Sequence, residues 1–265
     1  MTTVLKLGGE LLDDAAGMQA MAAAIRTLAM REQVIVVHGG GRAIDAELRA
    51  RGLEPRFADG LRVTDAAALD TVVSVLAGRT NTAFVAALNA SGVRAVGLTG
   101  ADAGIGLSRK ADMLTTVAGG LVDLGLVGQP VSVAPVTLLQ DLTGLGYVPV
   151  IASIGVSADG GLLNVNADTL AGHLAGAVSA RRLIIAGATA GVLDSKGARI
   201  DVMTLETVET MIASGDAHSG MVAKLIACHG AINAGVADVT IVSGRGVSDL
   251  DGAPGTRLRR AEVSA

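Results

Sequence analysis

The stretch Val4-Leu5-Lys6-Leu7-Gly8-Gly9 places an apolar run directly before two glycines. Apolar runs of this length are typical of parallel strands that are buried on both faces. The glycines allow backbone N–H groups to approach a ligand that a Cβ atom would keep away. The same order recurs at Val34-Ile35-Val36-Val37-His38-Gly39-Gly40-Gly41, where helix-forming residues follow at once. Because a helix N-terminus carries a partial positive charge, this pattern predicts anion-binding turns at strand ends.

Apolar runs and alanine-rich stretches of helical length alternate along most of the chain. Strands are predicted at 3–7, 34–37, 93–98, 148–154, 182–186 and 239–242. Helices are predicted at 14–30, 43–51, 64–91, 167–178, 205–213 and 223–234. This alternation predicts βα units, and therefore an α/β fold with a mainly parallel central sheet and helices on both faces.

The middle of the chain has a different pattern. Short apolar runs at 104–107, 113–117, 121–126 and 131–133 are separated by glycine, aspartate and lysine. This spacing predicts hairpins, and hence an antiparallel insertion in the parallel fold. A length of 265 residues favours a single unit made of two fused lobes.

Composition restricts the class of partner. The formal net charge is −4 and no block of basic residues is present, which argues against nucleic acid or an anionic membrane as a partner. No uninterrupted apolar run approaches the roughly 18 residues of a membrane span. The single cysteine, Cys228, cannot form an internal disulfide, so we expect a cytoplasmic protein whose partner is a small molecule.

Two basic residues are candidates for binding an anion. Lys6 lies at the carboxyl end of the first predicted strand, where open α/β sheets bind ligands, although an ordinary edge lysine has the same setting. Arg62 lies just before Thr64 and Asp65, either of which could cap the next helix. A guanidinium held there can bind a carboxylate through two parallel hydrogen bonds, but a surface arginine would also fit this segment.

Polar residues precede two later helices. Asn164, Asn166 and Asp168 occur at a spacing of two in a segment that enters a helix, which is more ordered than a turn requires. Lys224 is predicted in the first turn of the helix at 223–234, where its charge opposes the helix dipole and so favours a functional role. Residues 187–194 connect a strand to a turn and could either hold a nucleotide or form a simple loop.

Several familiar motifs are absent from the sequence. No G-x-x-x-x-G-K-[ST] string occurs, and Ile44 stands where a dinucleotide-binding turn has its third glycine. The histidines and the cysteine lack the spacing of zinc ligands, and no cluster of acidic residues indicates a metal site of the chain's own. His38 is predicted to be a packed, hydrogen-bonded residue at a strand end rather than a base.

Five strings, taken in order, resemble the amino acid kinase family: K-L-G-G from Lys6, H-G-G-G from His38, G-L-R-V-T from Gly60, N-V-N-A-D from Asn164 and G-M-x-x-K from Gly220. The resemblance implies a three-layer α/β/α sandwich with a β-hairpin insertion. It implies an N-terminal lobe, 1–175, for an acyl amino acid and dimerisation, and a C-terminal lobe, 176–265, for ATP. The implied reaction transfers the γ-phosphoryl group of ATP to the side-chain carboxylate of N-acetyl-L-glutamate, with Mg²⁺ carried by ATP, in a homodimer.

The resemblance also assigns roles by position. The implied catalytic residues are Lys6, Lys224, Asp168 and Gly9, with the lysines neutralising the phosphoryl group and Asp168 orienting both. The implied substrate-binding residues are Gly40, Gly41, Arg62 and Asn164. The implied nucleotide-binding residues are Gly8, Gly9, Ala188, Thr189, Gly191, Val192, Leu193 and Lys224.

Two alternatives stay open from the sequence. A kinase for carrier-linked or free aminoadipate, or for glutamate, would share the fold and the phosphoryl site. A catalytically silent amino acid sensor is the other alternative, because Gly187 and Ala188 stand where the family usually has serine or threonine followed by aspartate.

Overall fold

The computed structural model describes residues 1–116, 119–131, 135–215, 217 and 219–260. The strands are β1 (Thr2–Leu7), β2 (Gln33–His38), β3 (Arg56–Ala58), β4 (Leu61–Val63), β5 (Ala95–Thr99), β6 (Ser108–Lys110), β7 (Leu114–Thr115), β8 (Leu121–Val122), β9 (Val127–Pro130), β10 (Val148–Ala152), β11 (Ile154–Val156), β12 (Leu162–Val165), β13 (Arg182–Gly187), β14 (Val202–Thr204), β15 (Asp238–Ser243) and β16 (Gly255–Arg259). The α-helices are α1 (Ala15–Ala29), α2 (Gly41–Ala50), α3 (Ala66–Val73), α4 (Asn81–Ala90), α5 (Thr137–Gly144), α6 (Ala167–Ala177), α7 (Leu205–Ser214) and α8 (Ser219–Asn233). Short 3-10 turns occur at Gly9–Leu11 and Asp102–Gly104, and a π-helical segment at Ser74–Thr80 joins α3 to α4.

An eight-stranded sheet forms the centre of the molecule. Its strand order is β14-β16-β15-β13-β1-β2-β10-β5. The six strands from β15 to β5 are parallel, whereas β16 runs antiparallel to β15 and β14 pairs parallel with β16. The predicted mainly parallel sheet is therefore confirmed, but the short strands β14 and β16 were not predicted.

Helices cover both faces of this sheet, which gives the predicted three layers. Alternate residues of β1 belong to different cores: Val4 packs in the core with α6 and α8, whereas Leu5 and Leu7 pack in the core with α1 and α4. Because side chains alternate along a strand, Lys6 shares the orientation of Val4. Lys6 is thereby directed to the side of the sheet that α6 covers.

The predicted antiparallel insertion is confirmed, with different bounds. It comprises the β7–β8 hairpin and a four-stranded sheet in the order β11-β12-β9-β6, in which β6 is antiparallel to β9. The predictions at 104–107 and over the whole of 121–126 were wrong, since a 3-10 turn ends at Gly104 and β8 ends at Val122. Residue 117 of the second run and residues 132–133 of the fourth lie outside the described residues.

Three predicted elements also have different bounds. The strand predicted at 148–154 is divided at Ser153, and the helix predicted at 223–234 begins one turn earlier, at Ser219. The helix predicted at 64–91 begins at Ala66, where the Asp65 carboxylate accepts a hydrogen bond from the Ala68 N–H at 2.9 Å. The continuous helical stretch Ala66–Ala90 is long and apolar enough to cross a membrane, but 44% of its most apolar window is buried in the protein, and core helices pass the same test.

Candidate active site

A buried carboxylate lies between two lysines at the carboxyl edge of the central sheet. The Asp168 Oδ1 atom is 3.0 Å from Lys6 Nζ, and both side chains are 8% exposed. The other carboxylate oxygen, Oδ2, is 4.0 Å from Lys224 Nζ. The structure thus brings Lys6, Asp168 and Lys224 together, although Lys6 and Lys224 are 218 positions apart in the sequence.

Local structure explains the position of Asp168. The Asn166 Oδ1 atom caps α6 by accepting hydrogen bonds from the backbone N–H groups of Asp168 and Thr169, at 2.9 and 3.1 Å. Asp168 therefore lies in the first turn of α6, where the helix dipole favours a negative charge. Of the three polar residues predicted to act together, Asn166 has this capping role.

The surroundings of Lys224 differ from the prediction. Because α8 begins at Ser219, Lys224 lies in the second turn, and the unfavourable dipole interaction that the sequence indicated does not apply. Its Nζ atom donates a hydrogen bond to the Gly220 carbonyl oxygen at 3.2 Å. The ammonium group is thus held at the start of α8 while it faces Asp168.

The two glycine turns after β1 and β2 pack against each other through their backbones. A Cβ atom on Gly9 would lie 2.5 Å from the Gly40 Cα atom, and one on Gly40 would lie 2.7 Å from Leu76 Cδ2 in the π-helical segment. A Cβ atom on Gly41 would meet nothing within 4 Å. Glycine is therefore required by close packing at positions 9 and 40, but not by packing at position 41.

Arg62 is buried beside the second glycine turn. The guanidinium is 8% exposed, and its Nη2 atom donates hydrogen bonds to Asp45 Oδ1 at 2.6 Å and to the Gly41 carbonyl oxygen at 3.3 Å. Its Cζ atom lies 4.7 Å from the centre of the Phe57 ring. The Nη1 atom is buried and makes no hydrogen bond within the described part of the chain, so it can donate to an incoming acceptor.

These groups line one cleft of about 270 Å³. The cleft contains Lys6, Gly8, Gly9, Gly40, Gly41, Arg62, Asn164 and Asp168 from the predicted set. Asn164 is held by a hydrogen bond from its Nδ2 atom to Thr64 Oγ1 at 3.0 Å. All the predicted substrate-binding residues therefore lie in one place, together with the phosphoryl-site glycines.

A second cleft of about 510 Å³ lies beyond Asp168, on the side of β13 and α8. Its lining includes Thr189, Gly191, Val192, Leu193 and Lys224 from the predicted nucleotide-binding set. Ala188 is not among the residues that line it, and Gly8 and Gly9 belong to the first cleft. Since Asp168 lines the first cleft and faces Lys224 of the second, the charged cluster lies where the two clefts approach each other.

Sequence reasoning missed three residues in or beside the first cleft. Phe57 and Glu10 line it, with Phe57 packed against the Arg62 guanidinium and Glu10 directly after the first glycine pair. Asp45 does not line the cleft but accepts a hydrogen bond from Arg62 and so orients it. Adjacency to a glycine turn was the available signal for Glu10. Asp45 had no signal, because its contact with Arg62 depends on how β4 meets α2.

His38 is packed as predicted. It is fully buried, its Nε2 atom lies 3.0 Å from Asn81 Nδ2, and its Nδ1 atom lies 3.1 Å from the Gly39 carbonyl oxygen. Burial lowers the pKa of His38 to about 4, against a smaller opposing effect of the Gly39 carbonyl. The ring is therefore neutral at pH 7, and its contact with the Gly39 carbonyl oxygen connects it to the glycine turn.

The model of the amino acid kinase family matches residues 1–243. This chain belongs to the amino acid kinase family.

Among its relatives in that family, the acetylglutamate kinase of Acidiphilium cryptum is 41% identical over 253 residues, which cover 92% of this chain and 83% of the relative. The acetylglutamate kinase of Methanopyrus kandleri is 41% identical over 247 residues, covering 92% and 96% of the two chains. The crystal structure of a Streptococcus mutans protein superposes with a TM-score of 0.81 at 24% identity, covering 98% and 99%. That likeness shows the shared fold.

Proposed function

We propose that this amino acid kinase phosphorylates the side-chain carboxylate of N-acetyl-L-glutamate with ATP, giving N-acetyl-L-glutamyl 5-phosphate for arginine biosynthesis. The observation that carries the proposal is the buried Asp168 carboxylate between Lys6 and Lys224, where a small polar cleft meets a larger one. The relatives named acetylglutamate kinase match more than nine-tenths of the chain and support the choice of substrate.

The reaction requires charge neutralisation rather than a base. The acceptor carboxylate is already ionised at neutral pH, and one of its oxygens forms a bond to the γ-phosphorus of ATP. The bond from that phosphorus to the bridging oxygen breaks, and its electron pair leaves with ADP. Lys6 and Lys224 offset the repulsion between the two anions, with the backbone of Gly8 and Gly9 against the phosphoryl group. Asp168 orients both ammonium groups.

The acyl amino acid occupies the first cleft in this proposal. The unused Nη1 donor of Arg62 binds a substrate carboxylate, since a buried guanidinium with an unused N–H donor is suited to an anion. Gly40 and Gly41 contribute backbone contacts, and the Asn164 side chain binds the acylated end of the substrate. Glycine at position 40 fits this role because no side chain can be placed there without displacing Leu76.

ATP occupies the second cleft in this proposal, next to the segment that follows Ala188. Thr189, Gly191, Val192 and Leu193 line this space, and Lys224 connects it with the phosphoryl site. Within the described ranges no group of three or more histidine, cysteine, aspartate or glutamate residues could hold a metal ion. We assign Mg²⁺ to the phosphates of ATP, where it would supply charge neutralisation.

We also propose that each of the two predicted lobes binds one substrate. Residues 1–175 would bind the acyl amino acid and form a homodimer, and residues 176–265 would bind ATP in the cytoplasm. Support comes from the places of the two clefts and from Cys228, which is buried and free as in a reducing compartment. Light scattering of the purified protein tests the dimer, and a monomer or a hexamer would contradict it.

Trapping of the acyl phosphate with hydroxylamine tests the reaction. The protein is incubated with Mg·ATP and, in separate reactions, N-acetyl-L-glutamate, glutamate or aminoadipate. We expect hydroxamate with N-acetyl-L-glutamate and a much lower kcat/KM with the other two. A preference for aminoadipate or glutamate would replace the substrate in this proposal. Ligand binding without product from any substrate would favour a sensor instead.

A further inference from the structure

The Glu10 side chain continues the pairing between the first and thirteenth strands beyond their ends. The β1–β13 ladder ends at Leu7 opposite Ala186, and the Gly8 N–H still donates to the Ala186 carbonyl oxygen at 2.8 Å. In a parallel ladder, the next backbone bond would run from the Ala188 N–H to the Gly8 carbonyl oxygen. That oxygen instead accepts a hydrogen bond from the Leu11 N–H at 3.0 Å, because the chain turns away at Gly9.

Glu10 supplies the acceptor that the turn removes. Its Oε1 atom accepts a hydrogen bond from the Ala188 N–H at 2.8 Å. The carboxylate lies in space that two glycines leave open: a Cβ atom on Gly8 would be 2.4 Å from Oε1, and one on Gly187 would be 3.2 Å from it. Within the described part of the chain Glu10 makes no ion pair, so the visible contact is this hydrogen bond.

The two segments that Glu10 joins carry different parts of the proposed reaction. One is the Gly8–Gly9 turn beside Lys6, and the other is Ala188, which directly precedes Thr189 and the residues Gly191–Leu193 that line the second cleft. We propose that Glu10 is a positioning residue that fixes the distance between the phosphoryl-binding turn and the nucleotide-binding loop. The inference rests on the proposed function, because it concerns alignment of the γ-phosphoryl group with its acceptor.

The hydrogen bond to Ala188 depends on the length of the Glu10 side chain and on its acceptor oxygen, and not on its charge. Glu10→Gln keeps the length and an amide oxygen that can accept from the Ala188 N–H. Glu10→Asp keeps the charge but is shorter by one methylene group, and Glu10→Ala has no acceptor. Asp159→Ala is a matched control, since this carboxylate accepts a hydrogen bond from Ser157 Oγ in a surface turn outside both clefts.

Steady-state kinetics of the full chain test the proposal, with Mg·ATP and N-acetyl-L-glutamate varied separately. We expect Glu10→Ala and Glu10→Asp to lower kcat by about tenfold or more, since small displacements of reacting groups have large effects on rate. The KM for N-acetyl-L-glutamate should not change, because Arg62 and Asn164 are held by other contacts. Glu10→Gln and Asp159→Ala should retain the native kcat.

Hydrogen exchange at the Ala188 amide gives a readout that does not need activity. We expect faster exchange in Glu10→Ala and Glu10→Asp, and native exchange in Glu10→Gln. Native kcat in Glu10→Ala would overturn the proposal, as would a Glu10→Gln variant as slow as Glu10→Ala, which would indicate a role for the charge. If the native chain forms no acyl phosphate, the proposed function fails, whereas the exchange measurement still decides whether Glu10 holds Ala188.

Discussion

The charge on Asp168 determines how the two lysines of the site can share a small space. Two ammonium groups repel each other, and a carboxylate between them offsets that repulsion while it limits their orientations. A carboxylate directed at the phosphoryl group would repel it and oppose transfer. The Asp168 carboxylate instead faces the ammonium groups of Lys6 and Lys224. In the proposed function, Lys6 and Lys224 act on the rate, whereas Arg62 binds the substrate.

Replacement of either lysine tests that separation. Lys6→Met and Lys224→Met should each lower kcat by about 10²–10³-fold, the effect typical of losing one donor to developing charge. The KM for N-acetyl-L-glutamate should change little, because Arg62 is intact. Lys110→Met, which removes an exposed lysine paired with Asp123, is the control. Equal changes of kcat and KM in the site variants would contradict the assigned roles.

His38 gives a prediction about stability and pH. Its pKa is about 4 in the folded protein because burial disfavours the charged ring, whereas the unfolded value is 6.5. The unfolded chain therefore takes up a proton first, and stability from this group is full above pH 6.5 and is lost as the pH falls toward 4. The whole effect amounts to roughly 3 kcal/mol of unfolding free energy.

Denaturant unfolding of the native chain and of His38→Gln, at several pH values from 7 to 4, measures this effect, since about 1.4 kcal/mol accompanies each pH unit over that interval. The native chain should lose more unfolding free energy than the variant. Parallel curves would show that the ring of His38 is protonated equally in both states.

At the scale of elements, the two glycine turns pack so closely that a Cβ atom is excluded at some of their glycines and tolerated at others. Gly9→Ala would place a Cβ atom 2.5 Å from the Gly40 backbone, whereas Gly41→Ala would meet nothing within 4 Å. Since backbone cannot move aside as a side chain can, we expect Gly9→Ala to separate the turns. Its kcat should fall by about tenfold or more, while Gly41→Ala should keep the native melting temperature. A native kcat in Gly9→Ala would show that the turns tolerate separation.

Elements whose conformation depends on their own sequence and on burial could be predicted from the sequence. Strands such as β1 and β2 have mainly apolar, buried sequences, and two or three glycines follow each of them. The same pattern placed Lys6 and Gly40 at the strand ends, where the structure brings them into one cleft. Asp65 was also found, because a capping side chain acts on the helix that directly follows it.

Elements that depend on distant partners could not be predicted in the same way. The β16 strand alternates buried and exposed residues beside the edge strand β14, and its pairing with β15 and β14 decides its conformation. The π-helical segment at Ser74–Thr80 has an ordinary helical sequence. The hydrogen bond from Ala188 to Glu10 joins residues 178 positions apart, so no local pattern could indicate it.

At the scale of the whole molecule, one continuous sheet carries both clefts. The lobe boundary predicted at residue 175 falls within α6, and β13, which follows it, pairs directly with β1. Backbone hydrogen bonds therefore join the sequence on the two sides of that boundary, and Asp168 at the start of α6 lines the first cleft and faces Lys224 of the second. Binding of two ligands in separate clefts can be detected through the shift in melting temperature that each ligand causes.

A ligand that binds only the folded chain raises the melting temperature, because it adds RT ln(1 + [L]/Kd) to the free energy of unfolding. We expect N-acetyl-L-glutamate and a non-hydrolysable Mg·ATP analogue each to raise the melting temperature of the native chain. Arg62→Ala should lose the shift from N-acetyl-L-glutamate and keep the shift from the ATP analogue. Leu193→Asn, at a side chain that is 52% exposed and lines the second cleft, should show the reverse. If either variant loses both shifts while its own melting temperature is native, the two ligands do not occupy separate clefts. The crossed pattern would instead place one ligand on each side of Asp168, because each substitution lies in a different cleft and leaves the charged cluster between them unaltered.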